Sequence, residues 1–282
     1  MGRSIEPKMG EDAPVQDAAR VAIVHFRRGL PKRAVEERLL IEERPLTIDV
    51  VGTGQFTIMR TPGFEEELIT GFLFSEGLID RVEQVLLVDE CPSSPDQYRV
   101  RITSEKQNKS RRNLTVSSSC GLCGRTDLGE LVKHLGVVSE GIEVEKDVLY
   151  RLPKLVAPQQ TLFAKTGGSH AAALFASDGK IILVREDLGR HNALDKVVGS
   201  ALLTDLPLAD KGIFLSGRAS LEMVLKAARS RIALVAAVSA PSSRAVEAAK
   251  QFGITLCGFV RGEEFAVYCH DWRIHDGEAS AR

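Results

Sequence analysis

Apolar and polar positions follow two different periods along this chain. In the first half the apolar runs are short, which predicts strands over residues 21–26, 38–41, 46–51 and 56–60. Gly52-Thr53-Gly54 parts the last two and suits a hairpin turn that needs positive φ. Residues 64–75 change the pattern. Leu68, Gly71, Phe72 and Ser75 share one helical face, Thr61 stands where it can cap, Pro62 is tolerated in a first turn, and Gly77 ends the helix. Small Gly71 within that stripe predicts close packing on a sheet. Strands are expected again at 85–88 and 98–103, followed by a polar, basic stretch with Lys106, Lys109, Arg111 and Arg112 that reads as an exposed loop.

From about residue 128 the pattern changes. Leu128, Leu131, Val132 and Leu135 have helical spacing. Strands are then expected at 171–175, 181–184, 213–215, 232–238 and 254–257, with helices starting at His191, Ser220 and Ser242. Apolar strands alternating with helices imply a sheet covered by helices and at least partly parallel. The expected fold class is α/β, α+β over the whole chain. The expected organisation is a disordered leader over 1–20, a smaller β-rich N-terminal domain over 21–140 that ends in a cysteine-bearing loop and a helix, an α/β domain over 141–271, and a tail over 272–282.

Composition narrows the function. With 282 residues, 44% of them hydrophobic, the chain can bury one large core or two smaller ones. A net charge of -1 gives no general attraction to nucleic acid or to an acidic membrane, and 5% aromatic residues argue against base-stacking platforms. No run approaches the roughly 20 apolar residues of a membrane-spanning helix. The first 20 residues lack the apolar core of a secretory signal. A cytoplasmic location with reduced thiols is expected. The five cysteines, Cys91, Cys120, Cys123, Cys257 and Cys269, are odd in number, which argues against a secreted disulfide framework.

Cys120 and Cys123 form a C-x-x-C pair inside Ser117-Ser118-Ser119-Cys120-Gly121-Leu122-Cys123-Gly124-Arg125. Small residues around both thiols build little core, so a mobile loop is expected. Sulfur transfer needs such a loop, because a carrier thiolate must reach both a donor and an acceptor. Arg111, Arg112 and Arg125 are candidate cations for the thiolate, and a helix starting near Thr126 would add its dipole. Three rivals compete. A structural zinc site lacks a matching second ligand pair in the sequence, although the fold could bring Cys257 and Cys269, far apart along the chain, near each other. A thioredoxin-type pair would follow an early strand, among bulkier neighbours. A zinc deaminase needs H-x-E and P-C-x-x-C, but no histidine is followed two residues later by Glu and Ser119 stands where the proline would be.

Four further segments look site-like. Thr166-Gly167-Gly168-Ser169-His170 is either a phosphate cradle or a plain turn. The run from Glu186 to Lys196 follows a strand, where ligands of open α/β sheets collect, and His191 is either a site residue or a helix-start residue with a structural hydrogen bond. Ser216 to Glu222 also links a strand to a helix. Arg218 suits a phosphate there, and Ser220 can cap the helix. In Phe259-Val260-Arg261-Gly262-Glu263-Glu264, the Phe can stack on a base, the Arg can hold phosphate and a carboxylate can accept from guanine N1 and N2. The alternative there is a hairpin with a polar tip.

Taken together, C-G-L-C-G, T-P-G-F-E-E-E-L-I-T-G-F-L-F-S-E-G, T-G-G-S-H, E-D-L-G-R-H-N-A-L-D-K, S-G-R-A-S-L-E-M and C-G-F-V-R resemble the formate dehydrogenase accessory sulfurtransferase family, FdhD/NarQ, from about Glu42 to Tyr268. The resemblance implies a sulfurtransferase. It would take persulfide sulfur from a cysteine desulfurase and deliver it to the molybdenum bis(molybdopterin guanine dinucleotide) cofactor of formate dehydrogenase. Cys120 would be the persulfide carrier and Cys123 its helper. Phe259, Val260, Arg261, Gly262, Glu263 and Glu264 would form the cofactor-binding segment, with His170, His191 and Arg218 as further cofactor-site candidates. It also implies a cytidine deaminase-like C-terminal domain without the zinc site, no resident cofactor or metal, and a homodimer. Two alternatives remain: a non-catalytic chaperone for the same cofactor, and a zinc-stabilised interaction module.

Overall fold

The computed structural model describes residues 17–26, 34–103, 112–116 and 135–277, with the backbone alone at 25, 34 and 112–116. Strands β1 (Ala18–His25) and β2 (Ala34–Ile41) pair as an antiparallel ribbon, so β1 begins within the stretch assigned to the leader. β3 (Arg44–Val50) and β4 (Gly54–Arg60) form the expected hairpin, turned by Gly52 and Gly54 at φ 80 and 151, values that glycine adopts readily. Helix α1 (Glu65–Ser75) follows, then β5 (Val85–Cys91), β6 (Ser94–Ile102) and β7 (Arg112–Val116). The sheet order is β5-β6-β3-β4-β7.

The second half opens with a short β8 (Val144–Glu145), helix α2 (Lys146–Val156) and helix α3 (Thr161–Thr166). Neither helix is foreseen above. Pro153 interrupts the pattern of α2, yet Val148, Leu149, Leu152 and Val156 still form one buried stripe. Next come β9 (His170–Phe175), β10 (Ile181–Asp187), α4 (Arg190–Leu203), β11 (Gly212–Leu215), α5 (Leu221–Arg229), β12 (Leu234–Ala237), α6 (Ser243–Phe252), β13 (Thr255–Arg261) and β14 (Glu264–Cys269). A final β15 (Ile274–His275) pairs with β8. The six-stranded sheet runs β10-β9-β11-β12-β13-β14, with β11, β12 and β13 mutually parallel. The α/β class is therefore correct.

Side-chain alternation explains the layers. Ala172, Leu174, Ile213, Leu215, Val235, Ala237 and Leu256 face one side of this sheet, in the cluster that also holds Leu46, Ile48, Ile58 and Phe72 of the first half. Ala173, Phe175, Phe214, Leu234, Ala236 and Cys257 face the other side, against Val148, Leu149 and Leu152 of α2. Strands buried on both faces read as continuous apolar runs, as these do. The first cluster crosses residue 140, the boundary expected between domains.

Two local expectations need correction. Gly71 packs against a helix, not a sheet. A Cβ at Gly71 would lie 1.9 Å from the Asp195 carbonyl oxygen, and a Cβ at Gly199 would lie 1.8 Å from that of Glu67. Helices α1 and α4 thus cross with backbone against backbone. Thr61 is also not the cap of α1. Phe64, at φ 60, holds the N-cap position, while the Thr61 N–H donates to Asp187 Oδ2 (3.2 Å) and its hydroxyl accepts from the Leu188 N–H (3.0 Å). The sequence could not show this, because the partners lie more than 120 residues away. Among the described residues, no helix is long and apolar enough to cross a membrane.

A Gly71→Ala variant must push the two helices apart. Urea unfolding should show a loss of at least about 2 kcal/mol, from overpacking. An unchanged midpoint would contradict the crossing.

Candidate functional site

The C-terminal ends of β10, β11, β12 and β13 and the N-terminal end of β9 share one edge of the six-stranded sheet. His170 opens β9 and is registered with Asp187, the last residue of β10. The β11–α5 turn, Ser216 to Ser220, lies beside them. The Ser216 N–H donates to the Ala171 carbonyl (2.9 Å), and its hydroxyl accepts from the Ala171 N–H (2.8 Å). A Cβ on Gly217 would lie 3.2 Å from His170 Nδ1 and 3.8 Å from Arg190 Cδ, so both side chains crowd this turn. Burial lowers the His170 pKa, and the charges of Arg190, Arg218 and His191 lower it further. The structure therefore gathers His170, His191 and Arg218, three candidates from separate motifs, with Arg190 added.

His191 lies in the first turn of α4 and is only 4% exposed. Its Nε2 is 2.7 Å from Glu222 Oε2 and 3.4 Å from the Ser220 hydroxyl. Ser220 occupies the N-cap position of α5, yet its side chain makes no capping hydrogen bond. Ser, His and Glu here have the composition of a hydrolytic triad without its wiring. That mechanism needs the hydroxyl on one ring nitrogen and the carboxylate on the other. Here both approach Nε2, and Nδ1 is buried with no partner. The cluster is a polar, cation-rich surface and not an activated nucleophile.

The neighbouring residues of the same motif are structural. Asp187, fully buried, pairs with Lys196 Nζ at 2.8 Å and accepts from the Thr61 and Gly189 N–H groups and from Asn192 Nδ2. Asn192 Nδ2 also donates to the Met59 carbonyl (2.8 Å), and Lys196 to that of Thr61 (3.1 Å). Lys226 and the Ser75 hydroxyl both meet Asp195 at 2.7 Å. Glu67 takes two hydrogen bonds from Arg185, at 2.6 and 2.8 Å. The Glu186 carboxylate accepts from the N–H groups of Leu162 and Phe163, both at 2.8 Å, and so caps α3 from a distance. In T-G-G-S-H the turn reading fits. Gly167 ends α3 at φ 68, its N–H donates to the Phe163 carbonyl, and the Gly168 N–H donates to the Thr166 hydroxyl.

The segment from Phe259 to Glu264 ends β13 and turns into β14. Phe259 is half-buried at φ 55, and the Arg261 guanidinium lies 5.5 Å from its ring centre. Gly262 turns the hairpin at φ 66, and Arg261, Glu263 and Glu264 are exposed at its tip. The Val260 side chain packs into the core, so only its backbone faces the edge.

Cys120, Cys123 and the helix expected from Leu128 lie outside the described residues, as does most of the basic stretch before them. Val116, the last described residue before the pair, is registered with Ile58 in the parallel β4–β7 ladder. Three residues beyond Ile58, Thr61 touches Asp187 and Leu188. The other three thiols differ. Burial pushes the Cys257 thiol up to about 12, and burial also raises that of Cys269. Both are poor nucleophiles. A hydrogen bond from Ser93 lowers the thiol of Cys91, at the β5–β6 turn. Among the described residues, no three His, Cys, Asp or Glu side chains converge to hold a metal.

A family model, that of the FdhD/NarQ family, matches residues 41–275. A sulfur carrier protein FdhD of Nocardia farcinica is 40% identical over 257 residues, covering 88% of this chain and 91% of the relative. One from Thermoplasma acidophilum is 36% identical over 281 residues, covering 97% and 99%. Among solved structures, a protein of Desulfotalea psychrophila assigned as a formate dehydrogenase accessory protein superposes with a TM-score of 0.73 at 24% identity, covering 92% of this chain and 99% of that one.

Replacing Lys196 by Met leaves the Asp187 carboxylate buried without its cation. Urea unfolding should show a loss of about 3 kcal/mol or more. Alkylation of the native protein at pH 8 should leave Cys257 unlabelled until urea is added. Labelling in the native state would contradict its burial.

Proposed function

Since this chain belongs to the FdhD/NarQ family, we propose that it is a sulfur carrier and formate dehydrogenase accessory protein, with Cys120 as the carrying thiol. The donor is a cysteine desulfurase. The Cys120 thiolate attacks the outer sulfur of the donor's persulfide. One S–S bond forms at Cys120 while the donor's S–S bond breaks, and the donor leaves as a thiolate, so the oxidation level is conserved. The outer sulfur then passes as sulfide to the molybdenum of bis(molybdopterin guanine dinucleotide), the substrate of the transfer. The Cys123 thiolate attacks the inner, Cys120 sulfur, and the persulfide S–S bond breaks. The Cys120–Cys123 disulfide that forms supplies the two electrons, and a thiol reduces it before the next cycle.

The observation that best supports this reading is the division among the thiols. Burial disfavours the thiolates of Cys257 and Cys269, and Cys91, lowered by Ser93, has no second thiol near it in sequence, whereas Cys120 and Cys123 form a C-x-x-C pair in a Ser- and Gly-rich stretch flanked by Arg111, Arg112 and Arg125. The cofactor's nucleotide ends fit the sheet edge. Phe259 offers an aromatic face, Arg261 a guanidinium and Glu263 or Glu264 a carboxylate for guanine, with His170, His191 and Arg218 a few strands away along the same edge. The protein acts in the cytoplasm, as a homodimer.

Two variants separate carrying sulfur from holding the cofactor. Cys120→Ala should bind guanosine diphosphate like the wild type yet fail to activate formate dehydrogenase in a strain lacking its own accessory protein. A Phe259→Ala, Arg261→Ala double variant should lose guanosine diphosphate affinity by about 10-fold or more, the scale of one lost stacking or charged contact. Full activation by Cys120→Ala would replace the carrier by a chaperone that only delivers the cofactor.

A further inference from the structure

We infer that the outer edge of β1 is an interface between two copies of this chain. The two ribbons join there as one antiparallel sheet, in the order β2-β1-β1-β2, across a twofold axis at Ala22. This rests on the homodimer reading above and assigns the surface that makes the dimer. It is independent of the role of Cys120.

Three observations support it. First, the ribbon is small for a free-standing element. β1 and β2 pair from Ala18 with Ile41 to His25 with Ala34, and among the described residues neither strand has a second neighbour. Its base is anchored. The Glu42 N–H donates to the Asp17 carbonyl (2.8 Å), and a Cβ on Gly168 would lie 2.8 Å from Ile41 Cγ2. Further out, Val21, Val24, Val35 and Leu40 are exposed, Val35 by 74%. A two-stranded ribbon is marginal in water, and three or more strands with an apolar face are needed to hold one.

Second, the edge of β1 is unguarded. Native sheets protect a free edge with charge, proline or a bulge. Residues 21–26 read Val-Ala-Ile-Val-His-Phe, without Lys, Arg, Asp, Glu or Pro, and the register with β2 is unbroken. A β-branched, uncharged segment of this kind pairs readily with another strand.

Third, this edge is complementary to itself. In a continuous antiparallel sheet with its twofold axis along the sheet normal, both copies keep the same face, so even positions meet even and odd meet odd. About Ala22 the run 18–26 overlaps fully. Val21 then meets Ile23 of the partner subunit, and Arg20 meets Val24 of the partner subunit. No like charges are opposed, and Arg20 keeps its own counter-ion, Glu37, at 3.6 Å. A foreign strand would be selected by charge, and β1 offers only this countered one. The edge of β2 fails the same requirement. Its two registers of greatest overlap set Glu37 against the partner's Glu37 or Arg38 against the partner's Arg38, and directly opposed like charges repel.

The test is sedimentation equilibrium of the full chain at micromolar concentration, with circular dichroism as the control for folding. Wild-type protein should sediment at twice the chain mass of 30.7 kDa. Val24, 51% exposed, is then replaced in two ways. Val24→Lys sets a cation against Arg20 of the partner subunit, and Val24→Glu sets a carboxylate there. Both lose the valine, so their difference reports the cross-strand pair, which occurs twice per dimer. Val24→Lys should weaken the dimer, with a dissociation constant about 30-fold or more above that of Val24→Glu. A monomeric wild type would overturn the proposal together with the homodimer reading, and would leave the edge to a strand of another protein. A wild-type dimer that folded Val24→Lys leaves at full strength would overturn this interface alone. Equal dissociation constants for the two variants would overturn the pairing about Ala22.

Discussion

The crossing of α1 and α4 is the constraint on which the other features depend. Gly71 and Gly199 let two backbones approach to a distance that no side chain allows. At that distance α1 carries the five-stranded sheet and α4 the six-stranded one, so their contact sets the two halves of the chain. The buried pairs around it, Asp187 with Lys196 and Asp195 with Lys226, lock the register. Taking such charges out of water is expensive, and they persist because several backbone and side-chain partners meet each carboxylate. Placement of His191 and Arg190 at the sheet edge follows, since both belong to the first turn of the same helix.

One motif therefore serves two purposes. From Glu186 to Lys196, the side chains of Glu186, Asp187, Asn192, Asp195 and Lys196 tie elements together, His191 reaches Glu222 and Ser220 of the next helix, and Arg190 lies against the β11–α5 turn. Substitutions of the side chains that tie elements together will report on stability first.

Strand and helix order was legible in the sequence because apolar periodicity is a local property, and the strands of the second sheet, buried on both faces, stand out as apolar runs. Helix α2 was not, because Pro153 breaks its pattern on paper. The roles of Thr61 and Gly71 were also hidden, since each is decided by a partner in the other half. At the site, His170, His191 and Arg218 could be singled out from strand-end motifs, but only the fold brings them together. Glu222 and Arg190 carried no separate signal beyond their motifs. The thiols divide in the same way: that Cys257 is inert depends on a burial that only the fold reveals, whereas the C-x-x-C spacing is visible at once.

The central claim is that Cys120 carries sulfur. The most direct measurement is the intact mass of the purified chain after incubation with a cysteine desulfurase and cysteine, followed by peptide mapping. The account predicts a gain of about 32 Da, one sulfur atom, on the peptide containing Cys120, reversed by dithiothreitol. A folded protein whose free Cys120 gains no sulfur would contradict it.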